Sequence, residues 1–171
     1  MDIVDCILAD HDRQRRLFAS LEEARGDKDA LGKIFTHLSN FLEAHAAAEE
    51  RHFYPVLLKK GEGAIDSDSA EETTDDAIGD HNEIGEAAKE ALKHEPGSAE
   101  WWKWVDKAHE HNSEHLAEEE RQGLTDFRRN VPLEERVQLG TSYLAFELSH
   151  MEDFERRDKD PDAYIKQQQA G

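Results

Sequence analysis

Two sets of residues in this chain have the types and spacing to bind metal cations at one place. The first is His11 followed by His45 and Glu49, and the second is His81 followed by His115 and Glu119. His45 follows His11 by 34 residues, and His115 follows His81 by the same 34. Imidazole nitrogens and carboxylate oxygens together suit iron, manganese or cobalt, and zinc by affinity. On an α-helix, residues i and i+4 project from one face a turn apart, so each His-x-x-x-Glu pair can serve a single centre. A lone histidine on an apolar stripe is ordinarily a core residue. Six groups with doubled spacing resist that explanation, because burying four imidazoles and two carboxylates without a cation costs on the order of several kcal/mol. The expectation is a two-metal site bridged by Glu49 and Glu119, with iron as the first choice.

A gap of 34 residues fits one helical leg, a tight turn and a returning leg, so each set reads as a helical hairpin. Apolar positions Val4, Ile7, Leu8, Phe18 and Leu21 predict a first helix over roughly Asp2 to Ala24, stopped by Arg25-Gly26-Asp27. The second helix carries Leu31, Ile34, Leu38, Phe41, His45, Glu49, His52 and Val56 on one stripe, with Pro55 near its end. A loop is expected from Gly61 to about Asp75, and a third helix from about Asp76 to Lys93. Ser98 is the expected N-cap of a fourth helix, whose stripe runs through Trp101, Val105, Ala108, Asn112, His115, Glu119 and Gln122. Pro132 opens a fifth, with Val137, Thr141, Leu144, Leu148 and Met151 as its inward stripe.

Residues equidistant from the turn of an antiparallel hairpin lie level with each other. The midpoint of His11 and His45 is Lys28, beside Gly26-Asp27; that of His81 and His115 is Ser98, beside Pro96-Gly97; and that of His45 and His81 is Gly63. All three fall at expected turns. An up-down-up-down arrangement therefore brings the four histidines to one level, and short connections favour it. The expected fold is all-α, an up-down-up-down four-helix bundle with an additional C-terminal helix. Residues 1–155 form one domain by this reading, and 156–171 a polar C-terminal tail that frays.

Composition narrows the function classes. The 171 residues include 40 acidic and 21 basic ones, for a net charge of -19. That balance argues against nucleic acid or an anionic membrane as a partner. Cys6 is the only cysteine, which excludes an intramolecular disulfide framework and a thiolate-based metal site. No stretch approaches the ~20 apolar residues that span a bilayer, and Met1 to Asp10 lacks the apolar segment of a signal peptide. A cytoplasmic setting is expected.

The elements Asp10-His11-Asp12, His45-Ala-Ala-Ala-Glu49-Glu50, Tyr54-Pro55, Asp80-His81-Asn82 and His115-Leu-Ala-Glu118-Glu119-Glu120 resemble the hemerythrin-like HHE cation-binding domain family, in order and in spacing. Leu139-Gly140 is similar to that family's last helix, and the resemblance runs from about Asp2 to Met151. It implies a non-heme, oxygen-bridged di-iron centre, with His11, His45, His81 and His115 as terminal ligands and Glu49 and Glu119 as bridges. Respiratory hemerythrins have a fifth histidine one turn after the third-helix ligand. Here that position is Gly85, and the matching position of the first half is Arg15. Water, substrate, His111, His52 or Tyr54 are the candidates for the vacated place.

A ligand-poor centre directs the expectation toward turnover of a small oxidant such as peroxide, dioxygen or nitric oxide, with catalase- or peroxidase-like activity favoured. The alternative is a non-enzymatic oxygen carrier or sensor, or an iron buffer. Manganese or zinc would also suit the donor set, and the chain carries no signal for a protein partner or an oligomeric state. No nucleophile or triad for hydrolysis is apparent.

Overall fold

A computed structural model describes residues 1–63, 68–150 and 160–170. Among them are eight helices and no strand: α1 (Ile3–Glu23), α2 (Lys28–His52), α3 (Tyr54–Lys60), α4 (Ala70–Ala91), α5 (Ala99–Arg121), α6 (Gly123–Asn130), α7 (Leu133–His150) and α8 (Pro161–Gln169). Side-chain caps start the long ones. Asp2 accepts from the Val4 N–H, Asp27 from Ala30, and Ser98 from Trp101. Ser69 and Glu72 form a reciprocal capping box, and that extra cap extends α4 to Ala70, six residues ahead of the apolar stripe that suggested a start at Asp76. The three expected turns each use a glycine in the left-handed region: Gly26 at φ 97°, Gly63 at 82° and Gly97 at 81°.

Pro55 does more than end the second helix. It has no N–H to give the Arg51 carbonyl, so the helix breaks at Phe53 (φ −101°, ψ −63°) and resumes as α3. The stripe drawn from Leu31 through Val56 is thus two helices, and Tyr54 on the second is fully buried. A similar break at Gln122 (φ −104°, ψ −77°) separates α5 from α6, where no proline intervenes and Gly123 follows.

Helices α1 and α2, α2 and α4, α4 and α5, and α1 and α5 pack against one another, while α7 lies across α1 and α2. The core is divided. One apolar cluster gathers Ile3, Ile7, Ala48, Phe53, Tyr54, Leu57, Ile78, Leu124 and Phe127. Another gathers Phe18, Leu21, Leu31, Phe35, Leu38, Leu42, Ile84, Ala88, Trp101 and Val105. On α1 and α4 the first cluster's residues precede the histidine and the second's follow it; on α2 the order is reversed, and on α5 the second cluster's residues precede His115 while the first's follow on α6. The histidines therefore occupy a polar layer between two hydrocarbon layers. Trp101, 1 % exposed and edge-on to Phe35 at 5.3 Å, packs the second layer as its stripe position suggested.

Two expectations about the C-terminal part are corrected. The inward face of α7 is Gly140, Tyr143 and Glu147, whereas Val137, Thr141 and Leu148 are exposed and Leu144 is half-buried; Met151 lies outside the described residues. Gly140 sits against the backbone at the start of α1, where a Cβ would meet the Ile3 nitrogen at 2.9 Å. A bulkier residue would push the helices apart, and the two polar residues below it face the polar layer rather than hydrocarbon. Hydropathy alone selects the wrong face for that reason. The stretch read as a fraying tail also contains α8, whose Ile165 is buried and which packs on α3 and α4; 156–159 lie outside the described residues.

Candidate metal centre

All six residues singled out by spacing meet in the polar layer, each at most 7 % exposed. The rings of His11 and His45 are 5.2 Å apart, and those of His81 and His115 are 4.7 Å apart. Glu49 lies between the pairs: its Oε1 is 3.1 Å from His45 Nε2 and 3.9 Å from His11 Nε2, and its Oε2 is 3.4 Å from His81 Nε2. Glu119 Oε2 is 3.2 Å from His11 Nε2, and His81 and His115 bring their Nε2 atoms within 3.2 Å of each other. Two groups with metal-ligand spacing result, His11-His45-Glu49 and Glu49-His81-His115, with Glu49 common to both, whereas Glu119 joins neither group and approaches only His11 among the four rings.

The outward nitrogens are engaged as well. Nδ1 of His11 pairs with Glu120 at 2.9 Å, that of His81 with Glu50 at 3.1 Å, and that of His115 with Asp80 at 3.3 Å. His45 Nδ1 reaches Tyr143 at 2.7 Å, and the Tyr143 hydroxyl donates to Asp10 at 2.9 Å. Because that hydroxyl has spent its proton on Asp10, His45 Nδ1 is the donor of the pair. Each ring thus keeps Nε2 for the centre, the arrangement by which outer groups orient metal-binding imidazoles. Tyr54 donates its hydroxyl proton to Glu119 Oε1.

Inside the layer, His11 Nε2, His45 Nε2, both Glu49 oxygens and Glu119 Oε2 are buried without a hydrogen bond of acceptable geometry. Such orphaned donors and acceptors in a dry core are costly unless something satisfies them together. The electrostatics give the sign of charge that the layer favours. Burial disfavours a charged His11, yet contacts with Glu119, Glu120 and Glu49 outweigh it and raise its pKa to about 10. Burial opposes His81 similarly, and Glu49 and Glu50 raise it to about 9. His45 is raised well above its ordinary value against burial, chiefly by Glu49 and then Asp10. Glu49, despite burial, is held well below the usual carboxylate range by His45, His11 and His81. Contact with His11, then Arg15, lowers Glu120 to about 2. A field that pulls protons onto three buried imidazoles is a field for cations, and the donor set fits one.

A family model of the hemerythrin HHE cation-binding domain matches residues 2–124. The chain belongs to this family. No curated protein and no solved structure matches it. As a hemerythrin HHE domain it is a cation-binding domain, and its His/Glu groups can hold a metal. No described helix is long and apolar enough to cross a membrane.

The candidates for the place at Gly85 lie elsewhere. His111 Nδ1 is 3.0 Å from Glu83, His52 packs edge-on against Phe146, and neither joins a group with ligand spacing among the described residues. Burial, then the nearby Glu119, drives the Tyr54 pKa well above its ordinary value, so its oxygen keeps the proton that it donates. Gly85 instead borders a cavity of about 420 Å³ that His45, His81 and His115 also line.

Several further residues of the centre were not among the six chosen by spacing. Asp10, Asp80, Glu50 and Glu120 stand beside ligands and repeat at the same offset as the ligands, which is a signal that their pairing with the rings makes intelligible. Tyr143 and Glu147 on α7 lie beyond the matched residues and have no such signal. Glu147, with Asp10 and His45 Nδ1, forms a third buried group; burial, then Asp10, raises its pKa to about 7.

Proposed function

We propose that this hemerythrin HHE domain holds two iron ions and turns over a small oxidant, with peroxide in a catalase- or peroxidase-like reaction favoured over dioxygen or nitric oxide. In this reading α1, α2, α4 and α5 form an up-down-up-down four-helix bundle, which the alternating order of the two apolar layers supports. His11 and His45 would hold one ion and His81 and His115 the other, with Glu49 shared by the two groups and Glu119 beside His11. Bound there, paired iron supplies electrons and an electrophilic position for an oxygen donor.

The protein's own residues then have defined tasks. Glu120, Glu50 and Asp80 hold the Nδ1 protons of His11, His81 and His115, which orients those rings. Tyr54 pins one oxygen of Glu119 and leaves the other directed at His11. His45, Tyr143 and Asp10 form a hydrogen-bonded line, and Glu147, whose carboxyl can hold a proton near neutral pH, lies within 4.8 Å of His45 and Asp10 without a hydrogen bond to either.

The observation that carries this reading is the cavity at Gly85. It reaches His81 and His115 on the side where an oxygen carrier of this family would have its fifth histidine. A test combines metal analysis with oxygen evolution from added hydrogen peroxide. Two irons per chain and rapid oxygen release are expected. Two irons with stoichiometric oxygen uptake and no release would make the protein a carrier or sensor, and a manganese or zinc content would replace the metal.

A further inference from the structure

The cavity is far larger than the oxidants just discussed. At about 420 Å³ it has room for roughly a dozen waters at ~30 Å³ each. Dioxygen, nitric oxide and hydrogen peroxide would each fill a small corner of it. Its volume falls instead among pockets for small organic ligands, roughly 300–1,000 Å³. Leu42, Ala46, Ile84 and Ala88 give it hydrocarbon walls between α2 and α4. The ligand histidines stand at one end with Glu43 two residues before His45, and Ser39, Asn40 and Lys89 line it further from them along their helices. Asn112, one turn before His115 and 2 % exposed, lines it too and makes no side-chain hydrogen bond to any described residue. A buried amide in that position is an unused partner for a ligand's oxygen.

We propose that this cavity binds a small organic molecule with an alkyl body and an anionic oxygen head. The body lies against Leu42, Ala46, Ile84 and Ala88; the head lies between the Asn112 amide and the His81-His115 end. The position of the head rests on the metal centre proposed above, whereas the alkyl contact does not.

Calorimetric titration of the metal-bearing protein with octanoate and with acetate tests both parts. Each buried methylene multiplies affinity by roughly fourfold, so even partial burial makes octanoate bind at least about tenfold more tightly than acetate. Ala88→Phe, which puts a ring where the alkyl body would lie, is expected to remove that preference while metal content stays unchanged. Gly85→Leu does the same at a half-exposed position if the first variant folds poorly. Equal affinities in the unaltered protein, or a preference that survives both variants, overturns the alkyl site. Metal content measured on the same samples keeps the two ideas separate. Two metals with no preference refutes the alkyl site alone, whereas a preference in protein that holds no metal supports the alkyl site and refutes the placement of the head and the iron centre.

Discussion

The two halves of the centre share one ligand pattern and differ in what surrounds it. On the His11-His45 side, α7 covers the rings: Tyr143, fully buried, separates His45 from Asp10 and ties them together. On the His81-His115 side no phenol intervenes. Asp80 meets His115 directly, with its side chain 32 % exposed, and Gly85 opens onto the cavity. Duplicated spacing can therefore build a symmetric layer of candidate ligands with asymmetric surroundings: His81 and His115 both line the cavity, whereas of the first pair only His45 does, and α7 packs on α1 and α2.

The largest effect is expected where the halves meet. Glu49→Ala removes the carboxylate common to both groups, and metal content should fall from two per chain to near zero; an unchanged content by elemental analysis would sink the shared-bridge reading. Next comes the open side. Gly85→His fills the place beside His81 and should slow peroxide turnover by roughly tenfold or more with metal retained, since turnover requires an open position. Arg15→His, its counterpart in the first half, should change the rate less than about twofold, because Arg15 does not line the cavity and is exposed and paired with Glu120. Equal effects of the two substitutions in a steady-state assay would erase the proposed asymmetry.

Outer partners should matter less. Tyr143→Phe breaks the buried link to His45 and should weaken metal affinity by about tenfold, the lower end of what such partners contribute. Asp80→Asn, at a longer and more solvated contact, should cost less, and competition with a chelator would rank the two.

The smallest effect is in the pH dependence. Without metal, His11 and His81 have pKa values raised to about 10 and 9, so the folded state binds protons that the unfolded chain has released. Their stabilisation is complete below about pH 6.5, the ordinary histidine value, and is lost as pH rises through 9 to 10. With metal the sign reverses, because binding requires unprotonated rings and weakens as pH falls. Melting temperatures of the two forms should diverge between pH 7 and 10, and parallel curves would contradict the assignment of these rings as ligands.

Much of this arrangement was legible in the chain. Repeat spacing and the i, i+4 relation brought out the six polar residues, and their midpoints fell on turns that Gly26, Gly63 and Gly97 indeed make. Boundaries were less legible. Ser69 and Glu72 began α4 early, and Pro55 split what periodicity read as one helix, which turned Tyr54 toward Glu119. The face of α7 was misjudged because Tyr143 and Glu147 are buried against polar groups, a case that a rule pairing burial with hydrocarbon cannot recognise.

By itself the sequence determined the six candidate ligands, their doubled spacing and the helices that carry them, since spacing along a helix is local geometry. Only the tertiary structure decided that Tyr143 and Glu147 join the centre, that Tyr54 keeps its proton, and that the gap at Gly85 is a cavity rather than a place filled by His111 or His52. Those outcomes depend on which helices touch and what each buried group finds there, and residues distant in the chain supply both.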